Sequence, residues 1–406
     1  MKLNNKSKYL MESLLDEYKN LKMKENIYLH KDNFYLKILN QLLEADESFK
    51  LNKNHIILTE NENINNIGIK KSKYVPDSII DYSSKNDYIK LTYKFIVSSK
   101  VYNIHFIIYE RNNKKIKKIE KYIRKIYVWL YIIGQYSDSN CGNILDIYIN
   151  LIDKEKKLPK EVKKTLSSEH INSAVTTSCT AIGDILIYRE EEWFKVFIHE
   201  TFHILGVDFS SMNCIVINKK MEKIFNINSE FNIYESYTEF WATILNSLLS
   251  SYFLVDKENI TTIKKFQEKY LLYIDFFIEF ERFFSLFQCV KVLNHMGLSY
   301  NNIIESKDSY KKSLYKEKTN IFAYYILKCV LLYNYNDFIK WCQENNKNTL
   351  FFVKTHINLS RLYEFIEKKY KKIIFLNDMK KTETIFKNKK SNKELYETLR
   401  MTIIEI

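Results

Sequence analysis

The spacing of apolar residues separates a part of the chain that predicts strands from parts that predict helices. Apolar and polar residues alternate along Tyr88–Val97 and Val101–Tyr109, and this period of two predicts a β-hairpin. Ile144–Leu151 and Asp184–Arg189 are short and rich in β-branched residues, so each predicts a further strand. Between the hairpin and these strands, Lys115–Gly134 has an apolar face at helical spacing and predicts a basic helix.

Helical spacing dominates both ends of the chain. Amphipathic helices are predicted around Leu10–Leu21 and Phe34–Leu43, and aromatic-rich helices along Lys264–Phe287, Ile321–Tyr333 and Leu359–Tyr370. Residues 60–85 are rich in Asn, Ser and Lys and include Pro76, which predicts a long loop, and the polar stretch 379–395 is expected to fray. The predicted fold class is therefore α+β, a small mixed sheet with helices followed by a mainly helical C-terminal region.

A predicted helix in the middle of the chain carries the residues that suggest chemistry. His199, Glu200 and His203 form the pattern H-E-x-x-H, and the spacing of four places both imidazoles on one helical face. Two neutral imidazoles one turn apart can hold a divalent metal, most often zinc. Glu200 directly follows the first histidine, where a carboxylate can accept a proton from water at the metal. The pattern predicts one zinc ion per chain and Glu200 as a general base.

The residues around this motif also suit a metal helix. The predicted strand Asp184–Arg189 comes just before it, and Glu190–Glu192 place acidic residues at the expected helix N-terminus. Gly206 follows the motif and is predicted to end the helix in a left-handed conformation.

A third metal ligand has to come from another part of the chain. Glu235 and Glu239 lie four residues apart on a second, mostly apolar and aromatic helical run, where two like charges favour a bound cation or a hydrogen-bond donor. We therefore expect Glu235 to be the ligand and Glu239 to accept a hydrogen bond from a ligand histidine. Glu222 and Glu230 lie between the two helices and remain alternative ligands, as does Asp208.

In the order of these motifs, roughly residues 140–250 resemble the gluzincin metallopeptidases. Thermolysin-like proteases and the large zinc aminopeptidases share a helix with H-E-x-x-H and a second helix with a ligand glutamate and a carboxylate four residues later. The resemblance implies a zincin-like core in which His199, His203 and Glu235 bind zinc, Glu200 is the general base and Glu239 supports a ligand. The same stretch is similar to uncharacterised zincin-like proteins of large cytoplasmic DNA viruses.

The resemblance extends to the residues that would contact a substrate. The stretch His170–Thr177 predicts an edge strand, and its Asn172 and Ala174 resemble the substrate-binding strand of thermolysin. Hydrolysis by a zincin also needs a donor to the oxyanion, and His295 and Tyr300 flank Gly297 at a predicted helix end where either could serve. We therefore expect a zinc-dependent peptidase with a polypeptide substrate. The alternative is a non-catalytic structural or partner-binding protein on a zincin scaffold.

Composition limits the other classes of function. The net charge of +14 comes from lysines in scattered short clusters without a nucleic-acid-binding motif, which favours solvated helix faces over a nucleic-acid interface. No run reaches the roughly 18 apolar residues that a membrane span requires. The N-terminus lacks a signal peptide and the six cysteines show no C-x-x-C, so we expect reduced thiols in an intracellular protein, cytoplasmic or packaged in a virus particle.

Three consecutive regions are predicted along the chain. Residues 1–85 form an N-terminal helical and irregular region, residues 86–300 a zincin-like metallopeptidase domain, and residues 301–406 a C-terminal helical region.

Overall fold

The predicted α+β fold class is confirmed in a computed structural model of the chain. The structure describes residues 2–21, 23, 33–61, 74–109, 113–255, 262–305, 309–389 and 391–406. A six-stranded mixed sheet lies in the first half of the chain, and the part after residue 212 is helical. Within the described residues, no helix has the length and apolar content needed to cross a bilayer.

The sheet has the strand order β1-β2-β3-β4-β6-β5. Its strands are β1 (Ile57–Asn61), β2 (Ile89–Val97), β3 (Lys100–Ile108), β4 (Ile144–Ile152), β5 (Ala174–Thr176) and β6 (Ile182–Arg189). Strand β4 pairs in parallel with β3 on one side and with β6 on the other. The pairs β1–β2, β2–β3 and β5–β6 are antiparallel. The predicted hairpin is confirmed as β2 and β3, joined by a two-residue turn in which Ser98 and Ser99 both have positive φ.

The helices account for most of the remaining described residues. They are α1 (Asn5–Leu21), α2 (Asn33–Asn52), α3 (Asp77–Lys85), α4 (Asn113–Gly134), α5 (Ser168–Ile171), α6 (Trp193–Ile204), α7 (Ile215–Ile224), α8 (Ile233–Leu254), α9 (Ile263–His295), α10 (Tyr300–Ile304), α11 (Ser309–Leu314), α12 (Lys328–Tyr333), α13 (Tyr335–Asn345), α14 (His356–Lys369), α15 (Ile373–Asn388) and α16 (Lys393–Glu397). A π-helical segment, Phe322–Leu327, leads directly into α12.

Three local predictions were wrong. Positions 62–73 of the predicted loop 60–85 lie outside the described residues, and its last part is helix α3, whose buried Ile79 lies in one apolar cluster with the sheet residue Leu186. The stretch expected to fray is largely helix α15, whose Met379 and Phe386 are buried beneath a lysine-rich outer face. The expected strand His170–Thr177 begins as the helical turn α5 and is extended only along β5.

The described residues group into two compact units that are each discontinuous along the chain. One unit comprises residues of 32–155 and 172–211 and contains the sheet with α2, α3, α4 and α6. The other comprises residues of 1–31, 156–171 and 212–406 and is helical. The predicted division into three consecutive regions stays a prediction.

Cys141 and Cys179 form a disulfide, which corrects the expectation that all six cysteines are reduced. Their Cα atoms are 4.9 Å apart, within the range that a disulfide spans. Among the described residues, Cys214, Cys289, Cys329 and Cys342 are buried and belong to no disulfide. Sequence spacing could not reveal the pair, because 38 positions separate its members.

Opening the disulfide is expected to lower the free energy of unfolding by roughly 2–4 kcal/mol, because the bond restricts a long loop in the unfolded chain. Urea denaturation of the oxidised protein, the reduced protein and a Cys179→Ser variant measures the change. Reductant should leave the stability of Cys179→Ser unaltered, which controls for effects on other residues. Equal stability of the oxidised and reduced proteins would contradict the prediction.

A buried carboxylate in α9 binds the C-terminal residues of the chain. Glu281 accepts hydrogen bonds from the Thr402 hydroxyl and from the backbone N–H groups of Ile403, at 2.9 Å, and Ile404, at 3.0 Å. Desolvation raises the pKa of Glu281 to about 7, although Lys328 and these hydrogen bonds oppose the shift. The folded protein therefore retains a proton on Glu281 at pH values where the unfolded chain has lost it.

The raised pKa of Glu281 gives stability a pH dependence of known sign. Stability from the bound proton is fully present below pH 4.5, the unfolded value, and is lost as the pH rises through about 7. We expect wild type to lose about 3 kcal/mol across this window relative to Glu281→Gln, which cannot ionise. Denaturation of both proteins in one metal-free buffer at pH 5 and pH 8 tests this. If the stability difference between wild type and Glu281→Gln is the same at pH 5 and pH 8, the prediction is refuted.

Candidate metal centre

Strand β6 leads directly into the helix that carries the predicted metal motif. The strand ends at Arg189, Glu192 adopts a left-handed conformation with φ of 60°, and α6 begins at Trp193. Every residue of α6 is buried, so its polar side chains need partners inside the protein. One of them, Thr201, accepts a hydrogen bond from Trp129 Nε1 of α4 at 2.8 Å.

The end of α6 confirms the predicted glycine cap. Gly206 has a φ of 63°, and its N–H donates to the carbonyl oxygen of His203 at 3.1 Å. The N–H of Val207 donates to Phe202 at 2.9 Å, which completes the turn. The backbone N–H of Cys179, one half of the disulfide, also donates to the His203 carbonyl, at 3.0 Å. The helix end that carries the second histidine is therefore held by its own cap and by the disulfide loop.

The two histidines of α6 direct the same ring nitrogen towards each other. The Nε2 atoms of His199 and His203 are 3.0 Å apart, and their rings are inclined at 79°. Two nitrogens bound to one tetrahedral zinc at 2.0–2.1 Å lie about 3.3 Å apart. The pair therefore presents nitrogen ligands at nearly the spacing that one metal ion requires.

Asp208 fixes the orientation of the second histidine. Its Oδ2 lies 2.5 Å from His203 Nδ1, and its Oδ1 accepts from Ser210, at 3.2 Å from the backbone N–H and 2.8 Å from the hydroxyl. Because Nδ1 donates to this carboxylate, the lone pair of His203 is on Nε2, the atom that faces His199. The sequence suggested Asp208 only as an alternative ligand, and its role as a partner of His203 was missed. Its place five residues after the histidine, just beyond the glycine cap, was the available signal.

Glu235 completes a group that could bind a metal ion. Candidate ligand atoms of His199, His203 and Glu235 all lie within 4.8 Å of one another, and all three residues are buried. Within the described part of the chain, no other group of three His, Cys, Asp or Glu residues meets this spacing. Glu222 and Glu230, the alternatives for the third ligand, are exposed and are not in the group. Two imidazoles and a carboxylate form a ligand set typical of zinc.

The other two carboxylates of the predicted site are also buried. Glu200 is 8% exposed and follows the first histidine on α6. Glu239 is 1% exposed, and its Oε1 lies 3.6 Å from the Nζ of Lys328. The roles predicted for these residues, general base and partner of a ligand histidine, stay predictions.

Both candidate oxyanion donors have partners of their own. His295 Nε2 lies 2.9 Å from the carbonyl oxygen of Lys164, to which it can donate. Tyr300 is 1% exposed and donates its hydroxyl to the carbonyl oxygen of Tyr370 at 2.9 Å. Burial also raises the pKa of Tyr300 well above its usual value. A role at the metal would require either side chain to leave its present partner.

The predicted substrate-binding residues lie at an edge of the sheet. Ala174 is the first residue of β5, which pairs with β6 and is the last strand of the sheet. Asn172 comes just before the strand, where its carbonyl oxygen accepts from Arg189 Nε at 2.8 Å. Strand β5 is thus an edge strand, the kind of element on which an extended peptide can pair.

Replacing Asp208 tests its effect on the histidine. We expect Asp208→Asn to weaken metal binding by roughly 10- to 100-fold, because an amide fixes the neutral imidazole less firmly than a carboxylate does. Competition with a chromogenic chelator measures the affinity. Ser210→Ala, which removes a donor to Asp208 and leaves the carboxylate in place, should have a smaller effect. Wild-type affinity in Asp208→Asn would show that this contact does not influence the metal.

Comparison with known proteins gives one distant relative. No family model matches the chain, and no solved structure is similar to it. The chain is 27% identical over 186 residues to R210 of Acanthamoeba polyphaga mimivirus, a protein described as uncharacterized. The similarity covers 45% of this chain and 43% of R210, so it spans less than half of each protein. The chain thus has a viral relative, and the chemistry of the candidate metal centre has to be inferred from its own residues.

Proposed function

We propose that this chain is a zinc-dependent peptidase. The observation that carries the proposal is the buried group of His199, His203 and Glu235, with Glu200 next to the first histidine on the same helix. A site that only stabilised the fold would need the three ligands and would have no use for Glu200. The resemblance to gluzincins adds the expectation that the substrate is a polypeptide.

The residues of the site fit zinc better than the other common divalent ions. Calcium and magnesium prefer sets of oxygen ligands, whereas this group offers two imidazole nitrogens and one carboxylate. When bound, zinc supplies Lewis-acid activation of water and of the scissile carbonyl. The hydrogen bond from His203 Nδ1 to Asp208 fixes the ring orientation and leaves Nε2 as the nitrogen that can bind the metal.

Two parts of the chain would act on the substrate. Glu200 accepts the proton of the attacking water on its carboxylate and passes it to the departing amine, so one side chain serves as base and then as acid. Strand β5 pairs through its main chain with an extended peptide, which aligns the scissile bond without demanding a particular sequence. This division of roles predicts cleavage of extended or unfolded segments.

One experiment tests the metal and the activity together. Protein purified without chelator is analysed for metal content and then incubated with a peptide library, with and without 1,10-phenanthroline. We expect one zinc per chain and cleavage that stops on chelation and returns when zinc is added. Absence of zinc uptake would refute the metal centre. Full zinc occupancy without cleavage of any peptide would instead support a structural or partner-binding role.

The viral relative and the disulfide support a location for the protein. R210 belongs to a virus, which favours a protein made inside an infected cell. Disulfides persist in oxidising surroundings and are rare in the cytosol, so the Cys141–Cys179 bond favours packaging in a particle over a cytosolic role. Mass spectrometry of purified particles, with free thiols alkylated first, would detect the protein and the state of both cysteines.

A further inference from the structure

A buried asparagine from a distant part of the chain contacts the proposed glutamate ligand. Asn320 is 7% exposed and lies just before the π-helical segment. Its Nδ2 is 3.2 Å from Oε1 of Glu235. Its Oδ1 is 3.1 Å from the backbone nitrogen of Asn232 and 3.3 Å from the Asn232 side-chain amide.

These contacts determine which way round the Asn320 amide lies. The backbone N–H of Asn232 can only donate, so it requires the oxygen of the Asn320 amide and not its nitrogen. The NH₂ group must then face Glu235, where it can donate to a carboxylate oxygen. The orientation of the Asn320 amide therefore follows from the backbone N–H of Asn232, which cannot act as an acceptor.

Asn320 therefore fixes both the start of α8 and a side chain in its first turn. Asn232 is the N-terminal cap residue of α8, and its own side chain makes no capping hydrogen bond. Glu235 is the third residue of the helix and donates its backbone N–H to the carbonyl oxygen of Asn232 at 3.1 Å. The position of the helix start and the position of the Glu235 carboxylate are thus set through the same amide.

A second contact holds the segment that carries Asn320. Glu317 accepts a hydrogen bond from the Ser229 hydroxyl, three residues before Asn232 in the chain. It also accepts from the Tyr315 hydroxyl at 3.0 Å and from the Phe322 backbone N–H at 2.7 Å. The stretch before the π-helical segment is therefore attached to the approach to α8 at two places, so Asn320 is not free to follow movements of the Glu235 side chain.

We propose that Asn320 is a positioning residue that makes Glu235 a single-oxygen metal ligand. Its NH₂ group occupies Oε1 and leaves Oε2 for the metal. The inference rests on the proposed metal centre and adds to it a residue 85 positions from the ligand that it orients. A donor on Oε1 makes that oxygen a weaker ligand, which favours coordination through one oxygen and an open metal position for water and substrate.

The test uses an isosteric replacement with a matched control. Asn320→Asp retains an oxygen for Asn232 and replaces the donor to Glu235 with a repelling oxygen. Asn246→Asp is the control, because Asn246 lies on α8, the helix that carries Glu235. Asn246 is 3% exposed and donates its Nδ2 to the carbonyl oxygen of Ile404 at 2.8 Å. Both variants lose one buried amide donor, and only Asn320 contacts a proposed ligand.

Three measurements are made on the full chain: zinc affinity by chelator competition, the visible spectrum of the Co²⁺-loaded protein, and stability in metal-free buffer. We expect Asn320→Asp to lose roughly 10- to 100-fold in zinc affinity and to change the Co²⁺ spectrum. Asn246→Asp should lose stability while keeping wild-type affinity and spectrum. Asn320→Ala, which introduces no charge, provides the same comparison if Asn320→Asp does not fold.

The possible results separate this inference from the proposed function. If wild type binds zinc and both Asn320 variants match its affinity and spectrum, the positioning role is refuted and the metal centre stands. Equal losses of affinity in the Asn320 and Asn246 variants would also refute it, because they would reflect stability alone. A wild-type protein that takes up no metal would remove the metal centre and this inference together.

Discussion

Replacing Glu200 with glutamine is expected to lower kcat for peptide hydrolysis by roughly 10²- to 10⁴-fold, the range attributed to a positioned general base. The amide has nearly the same shape as the carboxylate and cannot accept a proton from water. Zinc content should remain at one per chain, because Glu200 adjoins a proposed ligand without being one. KM should change little, since the substitution affects a step that follows binding.

The control for this variant is a glutamate that is exposed and outside the metal group. Glu222 on α7 meets both conditions, and Glu222→Gln should retain full activity and full zinc content. Turnover of Glu200→Gln at the wild-type rate would exclude the proposed mechanism. Loss of zinc from Glu200→Gln would move Glu200 into the ligand set.

The sequence predicted those parts of the fold in which periodicity and burial agree. Strand β2 of the hairpin alternates between buried and more exposed residues from Leu91 to Val97, and α6 has its glycine cap at Gly206. Helix α3 was missed because only two of its nine residues, Ile79 and Ser83, are buried, so its apolar periodicity is too weak to compete with a loop-like composition. The disulfide was missed because a pair 38 positions apart leaves no local pattern.

The same limit applies to the site. His199, Glu200 and His203 are recognisable because one helical turn brings them together, and Glu235, predicted from a second helical run, lies in one group with the two histidines. The residues that orient these side chains come from other parts of the chain. Asp208 contacts His203 through a turn beyond the helix, and Asn320 reaches Glu235 from 85 positions away. Spacing along a chain reports neighbours on one element, whereas these contacts depend on tertiary packing.

Removing a ligand is expected to have the largest effect on metal binding. His199→Ala, His203→Ala and Glu235→Ala should each abolish stoichiometric zinc binding, a greater loss than the roughly 10- to 100-fold that follows loss of a supporting residue. In all three variants the remaining two ligands cannot complete a tetrahedral site. Peptide cleavage should be lost with the metal.

Thermal unfolding with and without zinc distinguishes these variants from merely destabilised ones. A ligand that binds only the folded state stabilises it by about 4 kcal/mol when present at a thousandfold excess over its Kd. Wild type, Glu222→Ala and Glu230→Ala should gain this stability, since both glutamates are exposed and outside the metal group. The three ligand variants should gain none. If Glu235→Ala still gains this stability, another side chain supplies the third ligand. That result would refute both the gluzincin-like ligand set and the role proposed for Asn320.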